Sequence, residues 1–398
     1  MSARKEPDYL KEIVSLIEIP SVTGKEGRLA NYLKERFESI GISARLYEVE
    51  RDRYNVFALM EGTERGDELG VLFHAHIDTV SPYQMEEPFR AVFKRGYVYG
   101  RGAVDQKGGI AAIISAFERV VKVGVDLRRS VGFVGVIDEE SEHRGSMFLR
   151  DMGLKASFGV VSEPTGLKLG IGCKGSLPIK VTVIGRASHG CRPWLGINAV
   201  EHGMKIAERI LSSFLPRCEI DGVGSTSATF NLGMIRGGVA YNIVPDRCSL
   251  WFDRRIVPGE DNERVLEGVK RIVSNYLEEA KRNEKLSDLR ALVEVARPDW
   301  NWEPIVKRGL KPALVDLGSE IVDVVRRAHR NVLGEEPKLF FTDGYNEMDF
   351  LINDMKIPSV QYGPGDASLC HTPNERLSLD ELEKASLVYF EIIKSICS

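Results

Sequence analysis

The chain has 398 residues, with 54 Lys and Arg against 58 Asp and Glu for a net charge of -4, and is 43% hydrophobic and 28% charged. That is the composition of an ordinary soluble globular protein, long enough for two domains, and its charge balance argues against a general nucleic-acid binder. No apolar run approaches the roughly 20 residues of a membrane span, the polar start Met1 to Pro7 lacks the apolar core of a secretory signal, and the six cysteines contain no C-x-x-C pair, so a cytoplasmic chain with reduced thiols is expected.

Apolar residues at helical spacing predict a helix over 9–19, stopped at Pro20 and followed by the turn-rich Ser21-Val22-Thr23-Gly24. A second amphipathic helix covers 26–40 and ends at Gly41. Strands are expected over 42–49, 55–60 and 69–74, an Ala-rich helix over 108–123, and strands again over 131–137 and 158–161. This α/β alternation predicts a mostly parallel, doubly wound sheet with helices on both faces. The pattern then changes: strand 177–184, helix 198–214, strands 227–235 and 247–256, helix 261–281 and strand 289–296. The order βαββαβ is the ferredoxin-like pattern and predicts a separate domain inserted into the first. Pro298 to Pro304 reads as the return linker, after which helix 316–332, strands 339–342 and 359–362 and helix 380–396 complete the first domain. The expected division is 1–175 plus 300–398 for one domain and 176–299 for the insert.

Four apolar runs end on groups that suit a metal: His74-Ala75-His76-Ile77-Asp78, Asp138-Glu139-Glu140, Ser162-Glu163-Pro164, and a Gly-Pro-Gly loop leading to His371. Ligands in open α/β sheets collect at the carboxyl ends of the strands, so these side chains are expected on one edge. Strand periodicity puts His76 and Asp78 on the same side, where a carboxylate fixes the tautomer of a metal-bound imidazole. His74 lies further back and reads as a packed, hydrogen-bonded histidine. Asp105 sits in Gly100-Arg101-Gly102-Ala103-Val104-Asp105-Gln106-Lys107-Gly108-Gly109, which lacks the G-x-x-x-x-G-K-[ST] spacing of a phosphate loop and suits a tight turn presenting Asp105. Glu139 and Glu140 are adjacent, so on a strand they would face opposite ways, one free to bind a metal and the other to take a proton from water. Glu163, held extended by Pro164 behind Val160-Val161, needs a partner. Two histidines and three carboxylates are enough for two metal ions sharing one carboxylate. Mixed ligation suits zinc, with cobalt and manganese as alternatives.

These blocks together resemble the dinuclear-zinc amidohydrolase and exopeptidase family of acetylornithine deacetylase, succinyl-diaminopimelate desuccinylase, aminoacylase and glutamate carboxypeptidase. The match runs through Ile19-Pro20-Ser21-Val22-Thr23-Gly24, His76 with Asp78, Gly100-Arg101-Gly102 with Asp105, Asp138-Glu139-Glu140, Ser162-Glu163-Pro164, Tyr362-Gly363-Pro364-Gly365 and His371-Thr372-Pro373-Asn374-Glu375. The resemblance implies that Asp105 bridges two zinc ions per subunit, with His76 and Glu163 completing one site and Glu140 and His371 the other. It implies Glu139 as general base, Asp78 orienting His76, and a cis peptide after Asp105. In the insert, Gly185-Arg186-Ala187-Ser188-His189 resembles the G-x-x-S-H element, whose histidine reaches the partner subunit's active site in a homodimer. Gly237 to Asp246 and Asp253-Arg254-Arg255 resemble two further signatures, implying that Asn242 and Arg255 bind the substrate carboxylate.

Two stretches depart from the family pattern. Where members often carry G-G-x-[DE]-A-R-F, this chain has Gly344-Tyr345-Asn346-Glu347-Met348-Asp349-Phe350, with Asp349 in place of the arginine, and where Gly-Gly usually follows the glutamate pair it has Glu142-His143. Asp343, Glu347 and Asp349 are read as favouring a cationic substrate side chain. The expected activity is metal-dependent hydrolysis of N-acyl amino acids, with a carboxypeptidase or dipeptidase as the alternative. A non-catalytic scaffold of the same fold would have lost at least one ligand, and none is missing.

Overall fold

The computed structural model describes residues 8–64, 66–213, 215–296 and 303–398. The expected helix end at Phe214, the start Met1 to Pro7 and most of the expected return linker lie outside the described residues. No helix among those described is long and apolar enough to cross a membrane, and all six cysteines are free.

The chain forms two compact units. One comprises residues up to Cys173, Ala313–Thr342 and Asn346–Ser398, and the other Lys174–Pro312 and Asp343–Tyr345. The inserted unit thus returns at Pro312 rather than near 299. Glu303 and Pro304, at the end of the expected linker, begin a short helix, and Ser176 N–H donates to Leu310 O at 2.9 Å.

The first unit opens with α1 (Asp8–Glu18) and α2 (Gly27–Ser39), then β1 (Ser43–Glu50), β2 (Arg53–Met60), β3 (Glu68–His76) and the short β4 (Val92–Lys94) and β5 (Tyr97–Tyr99). It continues with α3 (Gly108–Val123), β6 (Val131–Val136), α4 (Arg144–Asp151), β7 (Lys155–Val161) and β8 (Leu169–Cys173). The second unit contains β9 (Gly175–Ile184), α5 (Ala199–Leu211), β10 (Arg217–Ile220), β11 (Gly224–Ser227), β12 (Thr229–Gly237), β13 (Arg247–Ile256), α6 (Asn262–Lys281), β14 (Arg290–Val295) and α7 (Glu303–Arg308). Back in the first unit come β15 (Ala313–Leu314), α8 (Glu320–Leu333), β16 (Leu339–Thr342), β17 (Ser359–Gln361), β18 (Arg376–Ser378) and α9 (Leu379–Cys397).

Among the described residues the main sheet has nine strands in the order β1-β2-β6-β3-β7-β17-β8-β15, with β16 paired to β8. It is mixed rather than mostly parallel. The four strands β6-β3-β7-β17 run parallel, while β1 and β2 form an antiparallel hairpin and β2 joins β6 antiparallel. Two residues link β1 to β2, too few for a parallel crossover, so that edge has to turn back on itself. Strands buried on both faces read as continuous apolar runs, and every residue of β6 is buried. The side chains of β3 show what covers each face. Phe73 meets Phe117 of α3 and Tyr389 of α9, with ring centroids 5.9 and 5.2 Å apart. His74, on the other face, meets Ser146 of α4 at 3.2 Å. In the second unit the sheet order is β12-β13-β9-β14, all antiparallel, with α5 and α6 packed against it over a core of Ile179, Val181, Ile206, Leu250 and Phe252.

Candidate metal centre

Because β6, β3, β7 and β17 are parallel neighbours, their carboxyl ends share one edge of the sheet, and the segments leaving that edge carry the candidate ligands. His76 is the last residue of β3. Its Nδ1 lies 3.0 Å from the main-chain carbonyl of Asp78, which can only accept, so Nδ1 carries the proton and Nε2 presents its lone pair. That lone pair faces Asp105 Oδ1 at 2.9 Å. Two acceptors so close need a proton or a cation between them. Asp105 Oδ2 in turn lies 3.3 Å from His371 Nε2, which is 3.1 Å from Glu140 Oε1. Three overlapping groups result: His76, Asp105 and Glu163; Asp105, Glu140 and His371; and His76, Glu139 and Glu140. In each, one donor atom per residue lies within 4.8 Å of the others. The set of imidazole nitrogens and carboxylate oxygens fits two divalent cations sharing Asp105.

The turns that present these groups are specific. Gly102 has φ 80, and a Cβ there would lie 2.7 Å from Thr79 Cγ2. The Asp105–Gln106 peptide is cis, and Gln106 Nε2 donates to Glu163 Oε1 at 3.0 Å. Glu139 and Glu140 do not extend β6: they sit in a turn entered through Asp138 at φ 72, so strand alternation is not what separates them. Asp78 also lies just past its strand. Its carboxylate accepts from Glu139 N at 3.0 Å, Glu140 N at 3.2 Å and Thr23 Oγ1 at 2.8 Å, and stands 3.6 Å from His76 Nδ1. Asp78 therefore ties the glutamate turn to the His76 strand. The matching block Ile19 to Gly24 supplies the threonine, a role its sequence does not reveal.

Charge in the cluster is crowded. Burial and the adjacent Asp105 push Glu163 up to about 8. Burial, with Glu140 and Glu347 near, holds Glu139 well above the usual carboxylate range, and burial raises Glu140 as well. Burial opposes the His76 imidazolium, but Asp105 and Asp78 outweigh it and raise its pKa well above the ordinary value. Hydrogen bonds to Asp105 and Glu140 lift His371 to about 10. Asp105 is held low because its two histidine contacts exceed the cost of its burial. The cluster is closed to solvent at His76, 2% exposed, and open at His371, whose side chain is 48% exposed.

Sequence reasoning missed several supporting groups. Arg53 Nη2 bonds Asp138 Oδ1 and Glu26 Oε1, each at 2.6 Å, and Asn55 accepts from Ile137 N at 3.1 Å while donating to Gly145 O at 2.9 Å, bracing both ends of the glutamate turn. His74 is buried against Ser146 as expected. The two departures from the family pattern meet: His143 Nδ1 lies 3.3 Å from Glu347 Oε1. Glu347 and Asp349 are buried, the latter bonded by Asn353 at 2.7 Å, whereas Asp343 is exposed and paired with Lys174 at 2.7 Å.

In the second unit His189 and Asn242 are exposed neighbours: His189 bridges Ile243, and Gly190 N–H donates to Asn242 O at 2.7 Å. Arg255, on β13, holds Asp253 at 3.1 Å and is 32% exposed.

A family model described as peptidase family M20/M25/M40 matches residues 72–395. The chain is 29% identical over 402 aligned positions to a probable carboxypeptidase of Aspergillus clavatus, covering 96% of this chain and 87% of that one. It is 27% identical over 378 positions to succinyl-diaminopimelate desuccinylase of Corynebacterium glutamicum, covering 94% and 92%. The crystal structure of a tripeptidase from Staphylococcus aureus superposes with a TM-score of 0.79 at 24% identity, covering 98% of each chain. The chain is an enzyme acting on amide bonds and belongs to the peptidase family M20/M25/M40.

Proposed function

We propose that the chain hydrolyses the amide bond of N-acyl amino acids, in the manner of acetylornithine deacetylase or succinyl-diaminopimelate desuccinylase, with two zinc ions per subunit. The observation that carries this reading is Asp105, whose two oxygens meet His76 at 2.9 Å and His371 at 3.3 Å, the arrangement of a carboxylate shared by two cations. His76, Asp105 and Glu163 would hold one ion and Asp105, Glu140 and His371 the other, with cobalt or manganese able to replace zinc. Cations bound there polarise an amide carbonyl and make water nucleophilic near neutral pH.

Glu139 takes a proton from the attacking water and delivers it to the leaving amine nitrogen. Its place beside His76 and Glu140 suits a group that takes up a proton in one step and passes it on in the next. Asp78 orients both the His76 ring and the turn bearing Glu139. The inserted unit serves as lid and dimerisation domain of a homodimer, with His189 reaching the partner's site and Asn242 and Arg255 holding the substrate carboxylate. The ferredoxin-like sheet and the exposure of His189 and Asn242 support that part. Six free cysteines support a reducing, cytoplasmic setting.

A carboxypeptidase or dipeptidase is the second reading, favoured by the similarity to a probable carboxypeptidase and a tripeptidase. A panel of N-acetyl and N-succinyl amino acids set against di- and tripeptides, each with added zinc or cobalt, separates the two. Turnover of the acyl amino acids at least tenfold above the peptides is expected. The reverse order would replace the first reading by the second, and no metal in the purified protein by elemental analysis would sink both.

A further inference from the structure

Arg101 and Glu375 form a buried ion pair that no step of the proposed reaction uses. Arg101 Nη1 donates to Glu375 Oε2 at 2.5 Å, and the two side chains are 1% and 0% exposed. The other oxygen, Oε1, accepts the main-chain N–H of Val104 at 2.9 Å and of Asp105 at 3.2 Å. One carboxylate is therefore fixed at one end by a guanidinium and at the other grips the backbone from which Asp105 projects.

The small sheet β18-β5-β4 sets this register. Arg376 pairs with Tyr99, which brings the next residues outward, Glu375 and Gly100, opposite each other, and Gly100 N–H reaches Glu375 O at 3.4 Å. Four residues before Glu375 on the same segment, His371 meets the second oxygen of Asp105. One stretch of chain thus carries a candidate ligand and the anchor of the carboxylate that both ions would share. A buried ion pair is seldom a net source of stability against an apolar replacement, so its stabilising value does not explain its place here. Geometry does: a bridging carboxylate must keep both oxygens on target, and groups behind the ligands set their aim.

We propose that Glu375, oriented by Arg101, is a positioning residue that fixes the 104–105 backbone so that Asp105 addresses both cation sites at once. This rests on the dinuclear reading given above. The test uses the full chain and two paired variants. Arg101→Met with Glu375→Leu removes both charges together, stranding neither, and removes the acceptor. Arg101→Met with Glu375→Gln also removes both charges but keeps a carbonyl for the two N–H groups. Zinc affinity is read by competition with a chromophoric chelator, coordination by the visible spectrum of the cobalt form, and folding by thermal melting of the metal-free chain.

The leucine pair should fold and bind zinc about 10–100-fold more weakly with an altered cobalt spectrum, and the glutamine pair should recover most of the affinity. If the leucine pair does not fold, Glu375→Asp, which keeps the charge but shortens the reach, takes its place with the same expected loss. A folded leucine pair, or Glu375→Asp, with wild-type affinity and spectrum would overturn the proposal. So would a glutamine pair as weak as the leucine pair. Wild-type protein binding fewer than two cations would overturn the dinuclear reading itself, and the wild-type titration alone reveals it.

Discussion

The tasks proposed for Glu139 and Asp105 differ because of what touches each. Asp105 is spanned by two imidazoles, while Glu139 has its own main-chain N–H pinned by Asp78 at 3.0 Å and its carboxyl left among other acids. Replacing Glu139 by Gln keeps shape and volume but removes the proton-accepting oxygen. Cation uptake by Glu139→Gln should match the wild type while kcat falls about 10²–10⁴-fold. Near-normal turnover would remove Glu139 from the role. His76→Ala, by contrast, should lower cation stoichiometry itself, as elemental analysis of the purified variant would report. At this scale much could be read from the chain, because His, Asp and Glu at the ends of apolar runs are costly unless partnered. Arg53, Asn55 and Arg101 carry no such signal, since the contacts that tie each to the site run to residues distant in sequence.

At the scale of elements, the parallel core strands announced themselves by continuous apolar runs, and the helices by their spacing. The three-residue strands β4, β5 and β18 are too short to show any period, yet they register Glu375 against the Asp105 loop. The turn at 138–140 was likewise hidden: Val131 to Ile137 reads straight into the acids, and only the positive φ of Asp138 shows that the strand has ended. Gly102 tests how far the loop depends on its backbone. Gly102→Ala forces a side chain into φ 80 against Thr79 and should cost about 1–3 kcal/mol, seen as a lower denaturant midpoint with unchanged slope. A midpoint equal to wild type would show that the loop can relax without cost.

Across the whole molecule, the crowded site couples stability to pH and to cations. With cations removed by chelation, Glu163 binds its proton up to about pH 8 and His371 up to about pH 10. A group whose pKa is higher folded than unfolded stabilises the fold below its unfolded value and loses that contribution as pH rises through the folded one. The windows run from about 4.5 to about 8 for Glu163 and from about 6.5 to about 10 for His371. Lys107, pushed down to about 7 by burial, opposes this above pH 7, and His74, His202 and His329, all lowered by burial, oppose it at lower pH, but Glu139, Glu140 and His76 are raised alongside Glu163 and His371 and outnumber them. The chelated protein should therefore melt at a lower temperature at pH 8 than at pH 5. Saturating zinc should raise the pH 8 value most, since a ligand that binds only the folded state stabilises it by mass action. A melting temperature that climbs from pH 5 to pH 8 in chelator would contradict the charge arrangement described here.

The sequence alone determined that strands β3, β6, β7 and β17 exist and that each is followed by groups able to hold a cation, because burial on both faces and local patterning are written in neighbouring residues. Tertiary structure decided that these four strands lie side by side and parallel, that the sheet turns antiparallel at its edges, and that Asp105 stands between His76 and His371. Those outcomes depend on pairings between segments up to some 270 residues apart, as in Glu375 Oε1 to Asp105 N–H, and such contacts leave no local period to read.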